Sequence, residues 1–299
     1  MSSWGGGRVH FREKKMPNKT IVPQPHQPIQ ESSPIIPETN EPISKYVLPK
    51  TTVNNAAICC IALNEEPYID EWIKYHLVLG FSHIYIYDNS LTNTLKDKQT
   101  DKVTIIHFPG STKQIEAYNL CIAQYKKVHK WCAFIDCDEF IVLKKHSNIN
   151  DFLKDYDSHD SIGLSWKMFG TSNEKIYHDE PVTSRFKYCN KNIDIQIKSI
   201  SKLSNIYIYV SPHYPVLLKG NNYDTHSNII TGPFNDKGSD EIACIHHYYT
   251  KSEEEFLKKI NRGRADITEK RSVEELTEIH SKNNDVYNSD AWDFYCRHL

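Results

Sequence analysis

The sequence contains no apolar run approaching the ~18 residues that would cross a membrane, and no apolar stretch near its start that resembles a secretory leader. The expected location is therefore the cytoplasm. No Cys-x-x-Cys pair occurs among the eight cysteines, which sets aside the common structural zinc sites. No Gly-x-Gly-x-x-Gly follows the first predicted strand, which disfavours a dehydrogenase-type dinucleotide fold. Nor is there an excess of either charge. The 36 basic and 38 acidic residues give a formal charge of -2, so nucleic acid is a poor partner.

What is present is an ordinary globular composition, 39% hydrophobic and 25% charged over 299 residues, with room for one large domain. Cys59, Cys60, Cys121, Cys132 and Cys244 sit within apolar runs, where a reduced cysteine acts as a small hydrophobe. The only Asn-x-Ser/Thr sequon is Asn18-Lys19-Thr20. The abundance of Lys, Asn and Ile points to an AT-rich genome, such as that of a protist, a bacterium or a large DNA virus, and a virus-encoded protein is among these readings.

Residues 1–52 differ from the rest. Eight of the 14 prolines fall there, with Gly5-Gly6-Gly7, and such a stretch is expected to be a disordered tail preceding a domain over 53–299. Ala56 to Leu63 is an apolar run of strand length. Asn64 is placed as a helix cap, with Glu65, Glu66 and Pro67 in a first turn and Tyr68, Trp72, Tyr75 and Leu79 on the buried face. Strands follow over 82–87 and 103–107, then a helix over 113–128. Further strands are predicted over 162–166, 196–203 and 205–210. A last helix opens with Ser252 and Glu255 as a capping box and buries Phe256, Leu257 and Ile260. The order β-α-β-β-α-β indicates an α/β fold with a mostly parallel mixed sheet of Rossmann type.

Trp131 to Phe140 (WCAFIDCDEF) is the most informative stretch. Its apolar half suits a strand covered on both faces, and it ends in Asp136, Asp138 and Glu139. Open α/β sheets bind ligands at the C-terminal ends of their strands. An Asp-x-Asp there can hold a hard divalent cation that grips a diphosphate. A lone Asp-x-Asp is also common in solvated turns, so other residues must decide.

Seven ordered blocks do so: Asn64-Glu65-Glu66-Pro67-Tyr68 with Glu71-Trp72-Ile73 and Tyr75-His76; Ile86-Tyr87-Asp88-Asn89-Ser90; Gln114 with Ala117-Tyr118-Asn119; Phe134 to Phe140; Trp166 to Gly170; Lys198-Ser199-Ile200 with Pro212-His213; and His247 to Ser252 with Arg262-Gly263-Arg264-Ala265-Asp266. Together they resemble the family-2-like glycosyltransferases, close to glycosyltransferase family 92. The resemblance implies a single GT-A fold and a hexosyl transfer from a nucleoside diphosphate sugar, most plausibly a UDP-sugar. It also implies a divalent metal and inversion at the anomeric carbon. The acceptor would be a hydroxyl on a glycan, protein or lipid.

On that resemblance Asp138 is the first choice of metal ligand, with Asp136 on the metal or the donor ribose. His247 completes the metal shell, although His246 beside it leaves the choice of ring open. An imidazole ligand favours Mn²⁺ over Mg²⁺. Glu65 and Asp88 are candidates for the nucleotide, with the helix dipole an equal explanation for Glu65. Lys198, Arg262 and Arg264 would neutralise the leaving diphosphate, and Trp166 and His213 would face the acceptor. Leu63 stands where the family usually has a basic residue, which removes a phosphate contact from that loop. The general base is not fixed by any motif; Glu174 and Asp194 are the candidates. Two other readings remain at this level. One is a haloacid dehalogenase-type phosphatase, against which Phe140 and the mid-chain position of the motif both speak. The other is an inactive nucleotide-sugar-binding protein.

Overall fold

The computed structural model describes residues 55–262 and 272–298. The expected tail over 1–52 and Arg264 lie outside the described residues. The first half contains β1 (Ala56–Ala62), α1 (Ile69–Val78), β2 (His83–Asp88), β3 (Val103–His107), α2 (Gln114–Tyr125), β4 (Trp131–Phe134), β5 (Glu139–Leu143) and α3 (Ile149–Asp155). It continues with β6 (Ser161–Met168), α4 (Val182–Arg185), β7 (Tyr188–Cys189), β8 (Ile197–Lys202), β9 (Ile206–Tyr209) and β10 (Pro215–Leu217). The remainder is β11 (Asn222–Tyr223), β12 (Ile229–Ile230), β13 (Ala243–His247), α5 (Glu253–Arg262), α6 (Val273–Lys282), β14 (Val286–Tyr287) and α7 (Asp290–Cys296).

One large mixed sheet organises these elements. Its strands run β12-β11-β6-β8-β4-β1-β2-β3, and β13 joins β6 to β5. The pairs β4–β1, β1–β2 and β2–β3 are parallel, as the α/β alternation of the first half requires. β8 enters antiparallel between β4 and β6. β13 runs parallel to β6 and antiparallel to β5. The fold is thus α/β with a central, mostly parallel sheet.

β1 is buried along its whole length because it sits mid-sheet with a core on each face. Ala56, Ile58, Cys60 and Ala62 enter one core, and Ala57, Cys59 and Ile61 enter the other. α1 closes the first face with Trp72, Tyr75 and Leu79. Trp72 Nε1 donates to the Glu139 carbonyl at 2.8 Å and the Tyr75 hydroxyl to that of Ile141 at 3.0 Å. The rings thereby satisfy their polar atoms inside an apolar layer. α2 closes the second face with Ala117, Tyr118, Cys121 and Ile122.

Two local expectations are corrected. Asn64 does not cap α1. It adopts a left-handed φ of 55°, the helix begins at Ile69, and no side chain caps it. Pro67 disfavours helical geometry at Glu66 and delays the start, so Glu65 lies in the β1–α1 loop, where no first turn accounts for it. In α5 the capping box forms as expected, with Ser252 Oγ accepting from Glu255 N at 3.3 Å and Glu255 Oε2 accepting from Ser252 N at 3.1 Å. Its buried face, however, is Glu255, Phe256 and Lys259, while Leu257 is exposed. The helix turns charge inward because carboxylates wait for it there.

Candidate active site

At the C-terminal ends of β1 and β4 lies a cavity of about 500 Å³, walled on the far side by β6, β8, β13 and α5. Asp136, Cys137 and Asp138 occupy the loop between β4 and β5 and line it directly. Glu139 opens β5 and is wholly buried, and its Oε2 accepts the Asp136 amide at 2.9 Å.

The two aspartates have different surroundings. Asp136 Oδ1 accepts from Gln114 Nε2 at 2.6 Å and Oδ2 from Lys198 Nζ at 2.9 Å. Lys198, almost fully buried on β8, also faces Glu139 at 3.8 Å. Burial pushes the Glu139 carboxyl up, whereas Asp136 and Glu139 outweigh burial at Lys198 and keep its ammonium charged. Asp138 Oδ2 accepts from Lys259 Nζ at 2.5 Å, and its Oδ1 lies 3.5 Å from His247 Nε2. Burial alone would raise the Asp138 carboxyl, but Lys259 and then His247 outweigh it and hold it well below the usual range. Burial lowers His247 against the pull of Asp138.

Among the described residues no cluster of three or more His, Cys, Asp or Glu side chains forms a metal cage. Asp138 and His247 alone converge. Their 3.5 Å separation is long for a hydrogen bond, and His247 Nδ1 is buried with no partner. One carboxylate and one imidazole fit a divalent ion that completes its shell with phosphate oxygens and water. They do not fit an ion held by protein alone.

The other predicted residues divide sharply. Glu65 Oε1 accepts from Arg262 Nη1 at 2.6 Å, and Arg262 also donates to the Leu63 carbonyl; both side chains line the cavity. Trp166 lines it on β6 with its ring centroid 4.3 Å from that of His247 and 5.3 Å from that of His213. Asp194 follows closely, its amide donating to the Trp166 carbonyl at 2.8 Å and its Oδ1 accepting from Gln196 N at 2.8 Å. Asp88 lies elsewhere: Oδ1 accepts the Ser90 amide and Oδ2 the Leu95 amide, so its carboxylate closes the loop after β2. Glu174 is also outside the cavity, 3.7 Å from His178. His246 faces away from His247 as strand alternation requires, buried against Phe169 with neither ring nitrogen satisfied.

Lys259 is the residue that sequence reading missed. Its signal is present in α5, where Glu255 and Lys259 share a face one turn apart beside the apolar Phe256.

A family model described as glycosyltransferase family 92 matches residues 54–284. A glycosyltransferase family 92 protein of Oryza sativa subsp. japonica is 27% identical over 157 residues, covering 49% of this chain and 27% of the relative. Another from Ricinus communis is 27% identical over 218 residues, covering 69% and 37% respectively. A third, from Arabidopsis thaliana, is 25% identical over 120 residues, covering 36% and 21%. The chain thus spans between about a fifth and two-fifths of the length of these relatives. A solved 4-diphosphocytidyl-2C-methyl-D-erythritol synthase from Anaerococcus prevotii covers 50% of this chain and 70% of its own. It has a TM-score of 0.26 and 8% identity, too slight a likeness to bear on the fold. By the extent of the family match, the chain belongs to glycosyltransferase family 92.

Proposed function

We propose that this domain transfers a hexosyl group from a nucleoside diphosphate sugar, a UDP-sugar by preference, to an acceptor hydroxyl with inversion. The observation that supports the reading is that Asp138, His247, Trp166 and Asp194 line one cavity. Inversion needs a base on the face of the sugar opposite the leaving diphosphate, and Asp194, which lines the cavity, is the group we assign to that role.

In this reading Asp138 and His247 hold a divalent ion, Mn²⁺ before Mg²⁺ because of the imidazole. When bound, it supplies charge neutralisation of the diphosphate. The chain's own groups do the rest. Asp194 takes the acceptor hydroxyl proton as that oxygen bonds to the anomeric carbon. The bond from that carbon to the diphosphate breaks, and its electron pair leaves with the nucleotide. Lys198 and Arg262, already held by Asp136 and Glu65, face the oxygens on which charge accumulates. Trp166 offers an apolar ring to the sugar and shields the reacting atoms from water.

Nucleoside diphosphate release from a panel of nucleotide sugars, with and without Mn²⁺, tests this. Release from one donor, dependent on Mn²⁺ and at least 100-fold slower in Asp138→Ala, is the expected result. Absence of both release and metal-dependent donor binding by calorimetry would defeat it.

A further inference from the structure

The β9–β10 hairpin is anchored on one side only. Tyr209 packs against Tyr118 and Phe134, with ring centroids 5.4 and 4.5 Å away. Its amide donates to Asn119 Oδ1 at 2.8 Å and its carbonyl accepts from Asn119 Nδ2 at 3.0 Å, which fixes the strand to α2. A half-buried antiparallel hairpin ordinarily turns polar side chains to water on its other face. Residues 206–218 contain no Asp, Glu, Lys or Arg, in a chain that is 25% charged. Tyr207, Val210, Val216 and Leu218 are instead 66, 63, 38 and 62% exposed. The register shifts between Val216 and Leu217 and leaves Tyr207 as an extra residue on β9, a bulge that strengthens the local twist.

The turn of this hairpin leads into the cavity of the proposed active site, which Pro212 and His213 line. Ser199 Oγ donates to the His213 carbonyl at 3.0 Å, and His213 Nδ1 lies 2.9 Å from the Ile197 carbonyl, so the turn is held against the start of β8. Val210 stands two residues before Pro212, at most about 7 Å along the chain. At the same end of β8, Phe234 is 52% exposed and bridged to Gln196, another residue lining the cavity. An uncharged apolar surface therefore reaches the cavity from outside.

We infer that this surface binds the hydrocarbon chain of an amphiphilic acceptor, a lipid-linked alcohol or glycoside, whose hydroxyl end enters the cavity past Pro212 and His213. The inference names the acceptor class for the transfer proposed above and rests on that reading. A bare carbohydrate chain fits this surface less well, because aliphatic Val and Leu side chains offer it no hydrogen bond. A second copy of the chain also fits less well. The exposed apolar side chains present on the order of 500 Å², a size found for functional apolar patches but short of the ~800 Å² that each partner gives a stable protein interface.

Calorimetric titration of the full chain with octyl and methyl β-D-glycosides of glucose, galactose and mannose, each below its micelle concentration, reads the surface. At least one octyl glycoside should bind at least tenfold tighter than its methyl counterpart. Val210→Asp combined with Leu218→Asp, both at exposed positions, should cut that advantage below threefold with an unchanged melting temperature. Tyr207→Lys should cut it several-fold and covers the case in which the double variant misfolds. No preference for any octyl glycoside, or a preference that both variants retain, overturns the inference. So does a wild-type dimer in sedimentation that the double variant abolishes, which would give the face to a second copy. Co-sedimentation with phosphatidylcholine vesicles, lost in the double variant, would give it to a membrane surface and overturn the acceptor assignment as well. Nucleotide-sugar turnover without octyl preference would leave the transferase reading standing and sink this one. Octyl preference without turnover would sustain the hydrocarbon site while the transferase reading failed.

Discussion

Asp194 and Asp138 are both carboxylates on one cavity, and their surroundings set them to different work. Asp138 is buried between Lys259 and His247, which keep it ionised and suited to cation binding. Asp194 is half-buried, with one oxygen fixed by the Gln196 amide and no ion pair among the described residues. A carboxylate held in place but not neutralised can accept a proton, so Asp194→Asn should lower kcat by about 10²–10⁴-fold while leaving nucleotide affinity within about twofold. Single-turnover rates and UDP titration would separate the two, and an active Asp194→Asn would show that another group takes the proton. The Asp-x-Asp was legible in the sequence because an apolar strand ended in it. The role of Asp88 was not. Its position after β2 looked like a ligand site, but its two oxygens accept from Ser90 and Leu95 two and seven residues later, and local turn chemistry of that kind has no distinctive pattern at a distance.

At the scale of the element, α5 places two cations in the site and is itself held by one clip. Arg185 on α4 donates to both Glu255 oxygens, at 2.5 and 3.3 Å, with both side chains 3% exposed. The same carboxylate accepts from Ser252 at the helix start. Glu255→Ala leaves Arg185 buried without its partner and should cost about 3–5 kcal/mol. Because Lys259 rides on the same helix, UDP affinity should fall as well. Denaturant midpoints and UDP binding check the two effects, and a loss of stability with unchanged UDP binding would show that α5 is positioned by other contacts. The exposed Lys258–Glu254 pair on the opposite face is worth under about 1 kcal/mol. The capping box announced this helix, but which face turned inward depended on partners 70 to 197 residues away. The delayed start of α1 could have been read from Pro67, whose effect on Glu66 is local.

At the scale of the whole molecule, the domain carries neutral histidines in its interior. Burial lowers His76 to about 3, despite its hydrogen bond to the Trp72 carbonyl, and lowers His83 and His129 to about 4. Each folded-state value lies below the unfolded value near 6.5, so the unfolded chain takes up protons first as pH falls. Stability from these rings is therefore present above pH ~6.5 and is lost progressively toward pH 4. The slope is up to about 1.4 kcal/mol per pH unit for each ring. Denaturant midpoints between pH 7.5 and 5.0, above the range where carboxylates dominate, should fall steadily; a flat profile would contradict the burial. The α/β order of the first half and its parallel sheet could be read from periodicity, whereas the antiparallel insertion of β8 could not, because a strand's direction leaves no mark on its own sequence. Among the described residues no helix is long and apolar enough to cross a membrane.

The ion pairs of the cavity join positions far apart in the chain: Lys259 meets Asp138 across 121 residues, and Arg262 meets Glu65 across 197. A ribosome releases the chain from its N-terminus, so both carboxylates emerge long before the cations that answer them. Until α5 is made, β1 and β4 can pair, yet the mouth above them must stay wet to solvate two uncompensated charges. The last part of this domain to dry out and set is then the part that will hold the ligand, and a message truncated before Lys259 would yield a sheet with an open, acidic end.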